Sequence, residues 1–177
     1  MTRNDKILFD SDVFRHFHMG KQLSKLNLIY PQRICLVDIV INELKRSPAL
    51  RQPVEDFISQ YKIPIITFPS TGDILKEYAY LTSKRFKGEG ESACLAMARF
   101  QDYCLASSNI KDIQNYCDIN SLRYVTTMDI LITANKAKIL SVDECNQFIK
   151  DVRNAGSRLP VNSIQEYVAG GYLIRSI

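Results

Sequence analysis

The residues of this sequence best suited to chemistry are carboxylates that stand where apolar runs stop. Ile7-Leu8-Phe9 runs directly into Asp10-Ser11-Asp12. A short apolar run bounded by polar residues fits a buried strand of a parallel sheet, and open α/β sheets place their ligand sites just beyond the carboxyl ends of such strands. Asp10 is therefore placed to hold a cation, although Asp10 and Asp12 equally suit the capping of a following helix. Further acids stand at comparable junctions. Glu43 borders the apolar stripe made by Ile39, Val40 and Leu44, Glu89 and Glu91 lie in a first helical turn entered through Gly88 and Gly90, and Asp112 follows the polar turn Ser107-Ser108-Asn109. Each has a plainer role available, as a solvated rim residue or as a complement to a helix dipole. If Asp10, Glu43, Glu91 and Asp112 converge at one end of a sheet, they repel one another unless a cation lies among them. Oxygen ligands of this kind suit Mg²⁺ or Mn²⁺, and one such ion, or two about 3.5–4 Å apart, can activate a water in phosphodiester hydrolysis.

The elements that must position these acids read as alternating strands and helices. A helix is expected over 13–26, then a strand at Ile34-Cys35-Leu36-Val37, with Asp38 as N-cap of a helix over 39–46 that Pro48 ends. A short helix over 53–61 precedes a strand over 63–68, where Pro64 argues for an edge position. A helix over 73–85 ends in the cations Lys84, Arg85 and Lys87. Strands at 103–106 and 123–126 and helices after Gly88 and over 128–137, 141–155 and 162–168 complete the pattern. His16 and His18 are two apart, face different sides of a regular helix, and read as surface or boundary residues rather than metal ligands.

Composition narrows the class. With 177 residues, 46% of them hydrophobic, one compact domain is expected. No apolar run reaches the roughly 18 residues of a membrane span, and the polar start does not resemble a signal peptide. Five cysteines without a Cys-x-x-Cys pair suit buried thiols in a reducing, cytoplasmic compartment rather than zinc or disulfides. The net charge of +4 permits a nucleic-acid partner without requiring one.

The acidic stretches together resemble the PIN-domain family, the fold of the ribonuclease toxins of prokaryotic toxin-antitoxin pairs. The residues that carry the resemblance are Leu8-Phe9-Asp10-Ser11-Asp12-Val13-Phe14, Val40-Ile41-Asn42-Glu43-Leu44-Lys45-Arg46, Glu91-Ser92-Ala93-Cys94-Leu95-Ala96 and Leu105-Ala106-Ser107-Ser108-Asn109-Ile110-Lys111-Asp112-Ile113. The stretch from Gly88 and the tail Gly156-Ser157-Arg158-Leu159-Pro160 are more similar to an uncharacterised prokaryotic PIN-like subgroup. The core match covers about residues 6–135.

The resemblance implies a three-layer α/β/α sandwich around a mainly parallel sheet over 1–138, with a helical extension over 139–177 packed on the same domain. It implies Mg²⁺- or Mn²⁺-dependent endoribonuclease activity and frequently a homodimer, with an antitoxin protein as partner where the protein is a toxin. Asp10, Glu43, Glu91 and Asp112 would be the catalytic metal ligands, with Ser11 and Asn109 as hydrogen-bonding neighbours, Asp12, Ser107 and Ser108 as supporting residues, and Glu89 competing with Glu91. Lys45, Arg46, Lys84, Arg85 and Lys87 are then candidates to steer the RNA backbone. The sequence departs from the family's pattern in having Glu91 where Asp is commoner, and serines at Ser107 and Ser108 where many relatives carry an acid.

Two rival readings remain. Asp10-Ser11-Asp12 also looks like the nucleophile motif of haloacid-dehalogenase-type phosphatases, but Phe14 stands where that motif has Thr or Val. A PIN-like scaffold that binds RNA or a protein without cutting is the non-enzymatic alternative.

Overall fold

The computed structural model describes residues 5–84 and 88–177, with Lys84 and Asp112 described by backbone alone. In chain order the elements are β1 (Ile7–Phe9), α1 (Ser11–Met19), α2 (Lys25–Ile29), β2 (Ile34–Val37), α3 (Asp38–Lys45), α4 (Pro48–Tyr61), β3 (Ile65–Ile66), α5 (Asp73–Lys84), α6 (Glu89–Phe100), β4 (Cys104–Ala106), α7 (Ile110–Ile119), β5 (Tyr124–Val125), α8 (Thr127–Lys136), α9 (Val142–Asn154) and α10 (Ile164–Ala169). The strands form one all-parallel sheet in the order β3-β2-β1-β4-β5, with helices flanking it in a three-layer α/β/α sandwich.

The short apolar strands of the sheet interior belong there because both of their faces are covered, whereas Ile65 of the edge strand β3 is 52% exposed. Ile7, Leu8 and Phe9 of β1 are wholly buried. Ile7 and Leu8 pair with Ile34 and Cys35 on one side, and Ile7, Leu8 and Phe9 pair with Cys104, Leu105 and Ala106 on the other. The chain steps outward from β1 through β2 to β3, then returns across the sheet to β4 and β5. The strand order thus reverses between β1 and β4, and a crevice opens beyond the carboxyl ends of these two strands. Asp10 is the first residue past β1 at that point.

Several boundaries differ from the sequence reading for local reasons. The helix expected over 13–26 is two, α1 and α2. Gly20 caps the first, and a Cβ there would come within 2.1 Å of the Phe148 ring, so the backbone passes against α9 where only glycine fits. Pro48 follows the end of α3 at Lys45, as expected, and also opens α4, where its missing N–H costs nothing; α4 therefore begins five residues before the expected start at 53, with Pro53 inside it. Asp38 is the first residue of α3 rather than its N-cap, and its carboxylate accepts hydrogen bonds from the Ile39 N–H at 2.8 Å and from the Phe68 N–H at 3.1 Å. The strand expected over 63–68 shrinks to β3 at the sheet edge.

The chain beyond α8 shares the same core. Phe148 of α9 packs on Phe17 of α1 with ring centroids 4.9 Å apart. Ser141 and Glu144 close a reciprocal cap at the start of α9. The last residues run back to α8, where the Arg175 N–H donates to Asp129 Oδ1 at 2.9 Å and the guanidinium lies over the Tyr124 ring at 4.4 Å. All five cysteines are buried free thiols. No helix among the described residues is long and apolar enough to cross a membrane.

Candidate functional site

The site is built around Asp10. The strand β1 ends in an extended residue whose carboxylate turns back on the chain: Asp10 Oδ1 accepts from the Ser11 N–H at 2.7 Å and caps α1. Its Oδ2 accepts from the Ser107 hydroxyl at 3.3 Å. Ser107 in turn accepts from the Asn109 N–H at 3.4 Å, so the turn after β4 is tied to the end of β1. Asp10 is only 2% exposed.

Glu43 reaches the same place from α3. The Ser11 hydroxyl donates to Glu43 Oε1 at 2.7 Å, and the Gly90 N–H donates to Oε2 at 3.0 Å. Gly90 belongs to the first turn of α6, which presses its backbone between the two carboxylates. A Cβ there would lie 2.6 Å from Glu43 Oε2 and 3.5 Å from Asp10 Oδ1. One residue on, Glu91 is buried. Glu89 points elsewhere, is half exposed, and pairs with Arg46 at 2.7 Å.

The electrostatics follow from this crowding. Burial first, then the like charges of Asp12 and Glu91, push the Asp10 carboxyl well above the usual carboxylate range; the Ser11 N–H opposes this, and Glu43 adds to it. Cys94, one turn past Gly90 on α6, reports the same field. Its thiol is pushed well above its ordinary value by burial and then by Asp10, Glu43 and Glu91. Three of the four expected acids thus act on common ground. Asp112 lies in the first turn of α7, and its side chain is outside the described residues.

The donor set of Asp10, Glu43 and Glu91 is entirely carboxylate oxygen, the chemistry that suits a hard divalent cation. Among the described residues, no three Asp, Glu, His or Cys side chains are already gathered as a metal-holding group.

The expected steering cations are distributed differently. Lys45 is paired with Glu55 at 2.8 Å, and Arg46 with Glu89. The Lys84 side chain, Arg85 and Lys87 lie outside the described residues. Two other cations, Lys111 and Arg158, line a cleft of about 450 Å³ together with Asp12, His16, Ser108 and Asn109. His16 is a correction to the sequence reading. It is 6% exposed rather than superficial, and its Nδ1 lies 2.9 Å from the Thr127 hydroxyl. Ser108 is bound to that same hydroxyl and not to an acid. Burial lowers the His16 imidazole below its ordinary value, with Asp12 partly opposing.

Sequence reasoning missed Gly90 as a contact, the Ser108-Thr127-His16 chain, and the placement of Lys111 and Arg158. Helical phase did not choose between Glu89 and Glu91, because the residues one turn on from each, Ser92 and Ala93 for Glu89 and Cys94 and Leu95 for Glu91, are all buried. No protein-family model and no curated protein matches the sequence.

Proposed function

We propose that this protein is a Mg²⁺- or Mn²⁺-dependent endoribonuclease with a PIN-like active site. The observation that carries this reading is the burial of Asp10 at the reversal of strand order, where the charges of Glu91 and Glu43 also act and raise its affinity for protons. The like charges of Asp12, Glu91 and Glu43, which add to burial in disfavouring the Asp10 carboxylate, favour a cation bound among them. Asp10, Glu43 and Glu91 would hold the ion, with Asp112 as the fourth acid. The ion would supply Lewis-acid stabilisation and lower the pKa of an attacking water.

The chain's own groups prepare the site for this. The Ser11 hydroxyl and Gly90 N–H fix both oxygens of Glu43, while the Ser11 N–H and Ser107 hydroxyl fix those of Asp10. Carboxylates held in this way need no reorganisation when a substrate phosphate arrives. The low exposure of Asp10 keeps bulk water from screening its charge.

The test is cleavage of a pool of structured and single-stranded RNAs with Mg²⁺, with Mn²⁺ and with EDTA, alongside Asp10→Asn. Metal-dependent cuts lost in the variant are expected. A protein that cuts nothing with either metal and shows no metal uptake by calorimetry is not a nuclease. The second reading, a PIN-like module that binds RNA or protein without cutting, then takes its place. It is favoured by Ser107 and Ser108, which stand where many PIN proteins carry an acid. The resemblance makes a cytoplasmic toxin, held in check by an antitoxin protein and able to form a homodimer, the biological setting to test after the chemistry.

A further inference from the structure

The cleft beside the acids is a separate feature from the carboxylate cluster. Its walls come from three distant parts of the chain: α1 through Asp12 and His16, the first turn of α7 through Asn109 and Lys111, and the tail through Arg158. Lys111 and Arg158 are exposed and carry no acid partner among the described residues, unlike Lys45 and Arg46. Asp12 is the one acid among its described lining residues, and it stands on the side toward Asp10, which it influences.

The floor is polar and buried. His16 lies in the wall with its Nδ1 committed to Thr127. Its Nε2 has no hydrogen-bond partner among the described residues. Thr127 is itself bound to Ser108, which also lines the cleft. A threonine hydroxyl has one proton. When Thr127 gives it to His16 Nδ1, Ser108 donates to Thr127 and the single proton of a neutral imidazole resides on Nε2. An anion in the cleft selects that arrangement, because Nε2 then donates toward it.

We propose that this cleft is a phosphate subsite: it takes one phosphodiester group of a single-stranded RNA whose neighbouring bond lies at Asp10, with Lys111, Arg158 and His16 Nε2 as its ligands. That the phosphate belongs to RNA rests on the nuclease reading above; that the cleft takes a phosphate does not. The volume of about 450 Å³ accommodates a nucleotide unit. The tail therefore contributes a substrate ligand through Arg158.

The experiment is binding of a labelled single-stranded RNA in EDTA, so that no cutting intervenes, at a series of salt concentrations. Wild type is compared with Lys111→Gln and Arg158→Gln, both surface changes that leave the core intact. In parallel, the ring nitrogens of His16 are followed by NMR as inorganic phosphate or the RNA is added to wild type. Each variant is expected to bind several-fold more weakly and to lower the slope of log affinity against log salt by about 0.7, the loss of one phosphate contact on a single strand. Both ligands are expected to move the His16 Nε2 resonance. Unchanged affinity and slope in both variants, or a His16 ring that neither ligand moves, overturns the subsite. A response to inorganic phosphate alone overturns its assignment to an RNA strand. Because the assay contains no divalent ion, a protein that binds in this way but never cuts keeps the subsite and loses only the nuclease reading.

Discussion

Gly90 donates its N–H to Glu43 Oε2 at 3.0 Å, from a position where a methyl group would come within 2.6 Å of that same oxygen. One residue thus both holds a site carboxylate and, by lacking a side chain, leaves room for it. In Gly90→Ala the carboxylate must move. The flexible end of Glu43 can yield, and alanine gains about 1 kcal/mol of helix propensity over glycine, so the fold is expected to stay within about 1 kcal/mol of wild type. Metal-dependent cleavage should nevertheless fall sharply. Urea unfolding beside a cleavage assay separates the two; equal activity would mean that Glu43 is not needed where it stands.

Asp10 sets a pH dependence whose sign can be worked out. Its folded pKa is raised above the unfolded value of about 3.9, so the stability it contributes is fully present below the unfolded value and is lost as pH rises through the folded one. In EDTA the melting temperature should therefore gain an acid-side contribution that Asp10→Asn lacks. At neutral pH the variant should melt higher than wild type, with each kcal/mol gained worth about 2–4 °C for a chain of this size. Thermal scans across pH decide this, and a variant that melts lower at pH 7 contradicts it.

The two glutamates of the α6 first turn should part company. Glu89→Gln breaks only the exposed pair with Arg46 and should leave cleavage and melting temperature nearly unchanged. Glu91→Gln removes a charge that acts on Asp10 and should abolish metal-dependent cleavage. The reverse pattern would move the third acid to Glu89.

Phe148 tests whether α9 belongs to the same cooperative unit as the sheet. Truncation to alanine empties the space beside Phe17 and should destabilise the protein by about 3–5 kcal/mol. Unfolding should remain a single transition by both fluorescence and circular dichroism. Two separated transitions would make the chain beyond 138 an independent module.

The parts of this molecule that were legible in the sequence are those encoded locally. An apolar triplet followed by Asp10 announces a buried strand and the end of it, and Ser141 with Glu144 announces a helix start. Pro48 marked the end of α3 but not the start of α4, because proline stops one helix and starts another with equal ease. The need for glycine at position 20 was hidden because it comes from the Phe148 ring, more than a hundred residues away. The same holds for the hydrogen-bond chain: His16 and Thr127 are 111 positions apart, and Ser108 and Thr127 are 19 apart. No periodicity links such residues; only the packing of α1 and α8 around the turn after β4 does.

The crossing from β3 back to β4 also sets when in synthesis the parts of the site become available. Ser11 and Glu43 meet across 32 positions, whereas Ser107 closes on Asp10 across 97. Closing the longer loop costs somewhat more chain entropy, and contacts distant in sequence slow folding. On a ribosome, the stretch carrying Asp10 and Glu43 emerges well before the strand that seats Asp10 against Ser107. A growing chain therefore holds its acids unassembled until most of its length has been made, and the completed sheet, not the presence of the carboxylates, marks the moment the site exists.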